Sequence, residues 1–174
     1  MFYSSCYKSP LGSIMLAANG DSLVGLWFEN QKYFAAAMPD EIEEKEVAVL
    51  TAAKRWLDDY FDGRNPAITA LPLAPAGSEF RHTVWKLLCE IPYGTVCSYG
   101  DIAGKIRAKS GGSGALSRAV GGAVGHNPIS LIIPCHRVIG ANGTLTGYAG
   151  GVDKKLALLQ LEGVDTTCLR TPAK

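Results

Sequence analysis

The chain has 174 residues, 47% of them apolar and 19% charged, with a formal net charge of +1. That length suits one domain or two small ones, and the composition excludes a disordered chain; no stretch reaches the roughly 20 apolar residues of a membrane-spanning helix. The near-zero charge argues against a polyanionic partner only until it is divided, because residues 1–77 carry a net −4 and residues 78–174 a net +5.

Residues 1–8 lack the basic and apolar regions of an export signal. Five scattered cysteines (Cys6, Cys89, Cys97, Cys135, Cys168) with no C-x-x-C pair support neither a disulfide framework nor a thiolate zinc site, and fit a reducing compartment inside the cell. Residues 4–8 and 14–18 read as strands joined by the turn residues Ser9-Pro10-Leu11-Gly12, and residues 23–28 (LVGLWF) as a third strand. Asp40 with Glu43 predicts a capping box for a helix carrying Val47, Leu50, Leu57 and Phe61, ended by Gly63. The proline-rich stretch 70–77 (ALPLAPAG) marks a domain boundary. An α/β (α+β) scaffold of antiparallel sheet plus helix over 1–77 is the expectation.

The remainder, 78–174, reads as mostly helical. Ser78 predicts the cap of a helix with Phe80, Val84, Leu87, Leu88 and Ile91 at helical spacing, stopped by Pro92-Tyr93-Gly94. A short β-prone run, 95–98, leads to a second capping box, Ser98 with Asp101, and a helix from Ile102 to about Ala108. The small-residue connection 110–114 then precedes a glycine-containing helix, 115–127. Helix, turn, helix is the order of a helix-turn-helix unit. Each interior glycine costs that last helix about 1 kcal/mol relative to alanine. Its Ala/Gly face allows either close approach to a DNA groove, with Arg118 entering it, or an αα-hairpin packed tightly on its own domain with Arg118 solvated; pattern alone favours the hairpin.

Leu131-Ile132-Ile133 reads as a buried strand that delivers Cys135 to a Pro-Cys-His-Arg turn, with a second strand following. A neighbouring histidine activates a thiol, but adjacent residues of a regular strand point to opposite faces, so His136 reaches the Cys135 sulfur only through a turn or a bridging water. A buried structural cysteine beside a surface histidine is the bland alternative. Asn142-Gly143 predicts a tight turn into a flexible rim, 144–151, and Asp153 predicts the cap of a helix with Leu156, Leu159 and Leu161, ended by Gly163. Glu162 falls in the last turn of that helix, where the dipole disfavours an acid, so it calls for a partner, His136 being the nearest by motif; the alternative is a solvated surface carboxylate.

Together these residues carry a resemblance. Ile133-Pro134-Cys135-His136-Arg137-Val138 resembles the active-site motif of the O6-alkylguanine-DNA alkyltransferases, also called methylated-DNA-protein cysteine methyltransferases. The likeness extends in order and spacing through Pro92-Tyr93-Gly94, Tyr99, Ser117-Arg118-Ala119-Val120-Gly121, Asn127-Pro128, Gly147-Tyr148-Ala149-Gly150-Gly151 and Leu161-Glu162-Gly163. It implies a ribonuclease H-like N-terminal domain and a winged helix-turn-helix-like C-terminal domain that binds DNA and accepts the alkyl group.

By the same resemblance, Cys135 takes the alkyl group from guanine O6, His136 relays the thiol proton through a water, and Glu162 orients His136. Tyr99 donates to guanine N3, and Asn127 ties the recognition helix to the active-site turn. Arg118 replaces the flipped nucleotide, with Ser117, Ala119, Gly122 and Tyr99 on the DNA. Pro134, Val138, Tyr148, Ala149 and Gly150 wall the base pocket. The implied protein is a monomer in the cytoplasm that needs no metal or other cofactor and acts once, on double-stranded DNA approached from the minor groove. The 109–114 connection is longer than usual in the family, and Ala149 stands where some relatives have serine. Two rivals remain at this stage: a non-catalytic lesion binder of the alkyltransferase-like type, which lacks the acceptor thiol, and a Cys-His hydrolase or acyltransferase, which needs an oxyanion hole.

Overall fold

Alternating side chains fold the first 28 residues into a meander: β1 (Phe2–Ser9), β2 (Gly12–Asn19) and β3 (Ser22–Phe28) pair antiparallel in the computed structural model, which describes every residue except 113, 115, 173 and 174. A short β4 (Glu43–Glu44) adds to β1 in parallel, giving the order β3-β2-β1-β4 and a mixed rather than purely antiparallel sheet. This pairing overturns the capping box expected from Asp40 and Glu43, because Glu43 lies opposite Tyr3 in the sheet. The helix α1 (Ala48–Phe61) starts later, with Val47 in the cap position and no side-chain cap. Its Leu50, Ala53, Trp56, Leu57 and Tyr60 recur every three to four residues and are buried, the stripe that seats a helix on a sheet.

The outer edge of β3 is covered rather than left open to other chains. Leu23 N–H donates to Pro72 O (2.8 Å), and Ala74 N–H to Leu23 O (2.9 Å). Farther along, Leu26 N–H donates to Pro128 O (2.8 Å) and Ser130 N–H to Leu26 O (2.9 Å). The chain therefore divides into two compact units, Met1–Ala76 with Pro128–Ile132, and Gly77–Asn127 with Ile133–Lys174. A single cut at residue 77 misses the short excursion 128–132, which is held by backbone bonds that leave no mark in composition.

In the second unit, α2 (Glu79–Cys89) is capped by the Ser78 hydroxyl, which accepts from Arg81 N–H at 3.3 Å. Trp85 Nε1 donates to the Ala123 carbonyl at 2.9 Å, joining α2 to α4 (Leu116–Gly125). β5 (Cys97–Ser98) runs directly into α3 (Tyr99–Ser110), whose capping box forms both ways: Asp101 N–H to Ser98 Oγ at 3.0 Å and Ser98 N–H to Asp101 Oδ2 at 2.8 Å. Of the expected connection and second helix, Ser113 and Ala115 lie outside the described residues. β6 (Val138–Ile139) pairs in parallel with β5, and α5 (Val152–Leu161) closes the unit.

Two further expectations fail. Residues 131–133 form a buried turn and not a strand: Leu131 has φ +69°, and Ile132 N–H donates back to Ser130 O at 2.8 Å. An apolar run of this length reports burial, not conformation. The cap position of α5 is Gly151 and not Asp153, which sits inside the first turn, where its charge suits the helix dipole. Among the described residues no helix is long and apolar enough to cross a membrane.

Candidate active site and nucleic-acid interface

Cys135, His136 and Arg137 form one turn of 3₁₀ helix, held by Cys135 N–H to Ile133 O (2.8 Å) and Arg137 N–H to Pro134 O (3.0 Å). The turn removes the strand objection, since three residues per turn no longer send Cys135 and His136 to opposite faces. Asn127, just past the end of α4, fixes the approach by donating from Nδ2 to Ile133 O at 2.8 Å. The pairing of β6 with β5 places Val138 opposite Cys97, two residues before Tyr99.

Glu162 is the hub. Oε1 meets His136 Nε2 at 2.6 Å and Arg137 Nη2 at 3.0 Å, while Oε2 accepts from Arg137 Nε at 2.9 Å and Gly94 N–H at 3.1 Å. Arg137 also donates to Ile91 O at 2.7 Å and lies over the Tyr93 ring. Burial works against ionising this carboxyl, but the bonds from His136 and Arg137 outweigh it and hold its pKa down at about 2. An anion at the C-terminal end of α5 is unfavourable by itself, and here two donors compensate it. Because an ionised carboxylate only accepts, His136 carries its proton on Nε2 and presents the Nδ1 lone pair. Burial lowers the His136 pKa, against the pull of Glu162, so the imidazole is held neutral.

Burial raises the Cys135 pKa, and Asn127, Lys155 and the local backbone N–H groups act in the opposite direction, favouring the thiolate. Among the described residues the buried charges are Arg137, Lys155 and Glu162, two cations and one carboxylate, so ionising Cys135 brings the site into balance. Lys155 is fully buried and donates to Val138 O and to Thr146 O. Desolvation brings its pKa down to about 8. Tyr99 donates to the same Thr146 oxygen at 3.0 Å; burial, reinforced by the nearby thiol, pushes its phenol up to about 12.

Cys135, His136, Asn127 and Glu162 thus form one buried cluster. Pro134, Val138 and Tyr148 are buried and Ala149 and Gly150 half-buried, while Ser117, Arg118, Ala119 and Gly122 occupy the exposed face of α4. That face decides between the two readings of the glycines: a Cβ built on Gly121, Gly122 or Gly125 meets nothing within 4 Å. Among the described residues no close packing requires them, and each still costs the helix about 1 kcal/mol, which favours an outward-facing smooth surface over the tightly packed hairpin.

Sequence reasoning missed Arg137 and Lys155. A signal for Lys155 was present: Lys155, Leu158, Leu159 and Glu162 follow an i, i+3, i+4, i+7 stripe, which places both charged ends on the buried side of α5. Arg137 gave none beyond lying next to His136. Among the described residues no group of three or more His, Cys, Asp or Glu side chains is placed to hold a metal ion.

These features define a thiol-based transferase built on a helix-turn-helix unit. Residues 79–164 match the family model described as 6-O-methylguanine DNA methyltransferase, DNA binding domain, and residues 2–75 match its ribonuclease-like domain. The chain belongs to the 6-O-methylguanine DNA methyltransferase family. It is 39% identical over 93% of its length to the methylated-DNA–protein-cysteine methyltransferase of Haemophilus influenzae, of which it covers 87%. The enzyme of the same name from Methanosarcina acetivorans is 45% identical over 92% of this chain and 98% of the relative. The Mycobacterium tuberculosis structure solved in complex with DNA superposes with a TM-score of 0.79 at 39% identity, covering 97% of this chain and 94% of that one.

Proposed function

We propose that this protein repairs double-stranded DNA by moving the alkyl group of O6-alkylguanine onto its own Cys135, once per molecule. The observation that carries this reading is the buried Cys135 turn joined to a His136–Glu162 pair at 2.6 Å. His136 Nδ1 takes the thiol proton through a bridging water. The sulfur then attacks the alkyl carbon, the S–C bond forms as the C–O6 bond breaks, and the electron pair leaves with the oxygen. Tyr99 gives its proton to the departing base and recovers one from solvent, while His136 releases the thiol's proton to solvent, so the protons balance. A thioether offers water no good leaving group, so the protein is spent. No cofactor takes part, since the lesion is itself the alkyl donor. The α4 face enters the minor groove, Arg118 fills the stack vacated by the flipped nucleotide, and Pro134, Val138, Tyr148, Ala149 and Gly150 wall the pocket. A substrate of DNA implies a protein that works inside the cell, and we assign it to the cytoplasm, acting as a monomer.

Incubation with an excess of O6-methylguanine duplex should leave each protein molecule heavier by one methyl group, mapped to Cys135, with guanine restored in equal amount. Turnover by an unmodified protein excludes this reading. Arg118→Ala separates docking from chemistry: extruding a base costs a few kcal/mol, so the variant should repair duplex DNA about 10- to 100-fold more slowly and react nearly normally with free O6-benzylguanine. Equal losses on both substrates contradict the role given to Arg118.

A further inference from the structure

The Thr146 carbonyl oxygen serves two donors, Tyr99 Oη at 3.0 Å and Lys155 Nζ at 2.9 Å. Lys155 is a buried ammonium whose second partner, Val138 O, closes the active-site turn on its other side. The nearby carboxylate, Glu162 on the same side of α5, is committed to His136 and Arg137. Tyr99 has a single proton to give, and here it is spent on Thr146. The phenol oxygen is seated against Gly147, where φ is +75° and an added Cβ would lie 2.7 Å from it. Turning the Tyr99 hydroxyl hydrogen onto another partner costs Thr146 that bond. A carbonyl left without a donor at a half-buried site resists the change.

We propose that Lys155 is a positioning residue for the leaving-group donor: by keeping the Thr146 carbonyl satisfied, it frees the Tyr99 hydroxyl to turn onto the departing base. Two donors on one oxygen also compete, so the Tyr99 bond is weaker than it would be alone. The proposal rests on the reading of Tyr99 as the donor to the base.

The test is a double-mutant cycle with Lys155→Met and Tyr99→Phe, read in two reactions. One is single-turnover methyl transfer from O6-methylguanine duplex; the other is alkylation of Cys135 by iodoacetamide, followed by peptide mass, which has no base to protonate. Removing Lys155 takes a cation from beside the thiol and slows both reactions. In methyl transfer it should cost about fivefold to tenfold more in the Tyr99 background than in Tyr99→Phe, while in iodoacetamide alkylation the two backgrounds lose equally. No coupling in methyl transfer, or the same coupling in both reactions, overturns the proposal. An unchanged rate in Tyr99→Phe alone removes the donor reading and this proposal with it. A wild-type protein that reacts with iodoacetamide and takes no methyl from DNA overturns the proposed function instead. Lys155→Gln, which keeps one neutral donor, runs the same cycle if the methionine variant is unstable.

Discussion

Cys135→Ser should bind O6-methylguanine duplex with nearly wild-type affinity and accept no methyl group. Serine replaces sulfur by oxygen at almost the same size, so Asn127 and the backbone donors of the turn stay in place and the fold survives. The chemistry does not. A hydroxyl is a much weaker acid than a thiol, and a neutral histidine oriented by Glu162 cannot hold an alkoxide in a buried site. The other four cysteines then act as internal controls. Cys6 and Cys168 are exposed, and Cys89 and Cys97 are partly buried with pKa values raised by burial. Intact mass and peptide mapping should show none of them methylated, in the variant or the wild type. Methyl transfer to any of the four in Cys135→Ser shows that proximity to the lesion, and not the His136–Glu162 pair, selects the acceptor. Retained binding without transfer also separates the docking surface from the chemistry, since Ser117, Arg118, Ala119 and Gly122 lie on exposed α4 and Cys135 is buried.

Local chemistry made part of this legible in the sequence. The capping box of Ser98 and Asp101, the stop at Gly63 and the pairing of Glu162 with His136 each follow from rules acting over a few residues or from one unfavourable charge that needs a partner. What failed depended on competition between distant segments. Asp40 and Glu43 satisfy the capping pattern, but β1 recruits Glu43 as a sheet neighbour. The run 131–133 is as buried as expected, yet it turns, because the chain joins β3 for only a few residues before returning to Cys135. The resting use of Tyr99 was also invisible, since nothing along the chain says that Tyr99 and Lys155 meet at the Thr146 carbonyl.

The missed arginine has the larger energetic consequence, and Glu162→Gln exposes it. Arg137 is nearly fully buried, and its Nε and Nη2 both rest on the Glu162 carboxylate. An amide presents a donor where a donor already points and leaves the guanidinium without an anion. Breaking one side of a buried pair costs about 3–5 kcal/mol, so the variant should unfold at markedly lower urea concentration. Methyl transfer should slow by about 100-fold or more, since losing the carboxylate that orients a catalytic histidine costs about 10⁴ in the Ser-His-Asp case. The pH dependence identifies the cause. The Glu162 carboxyl titrates at about 2 in the folded protein and near 4.5 when free. Its stabilisation of about 3 kcal/mol is therefore complete above pH 4.5 and is lost as the pH falls toward 2, where the unfolded chain binds the proton first. His136 adds a separate decline: burial lowers its folded pKa, so below about 6.5 the unfolded chain takes up a proton that the folded protein refuses. Urea unfolding across pH 7 to 3 should show wild type and Glu162→Gln farthest apart at neutral pH and converging below 4.5. A gap that stays constant over that range means that the carboxylate's charge is not what holds Arg137 and His136 in place.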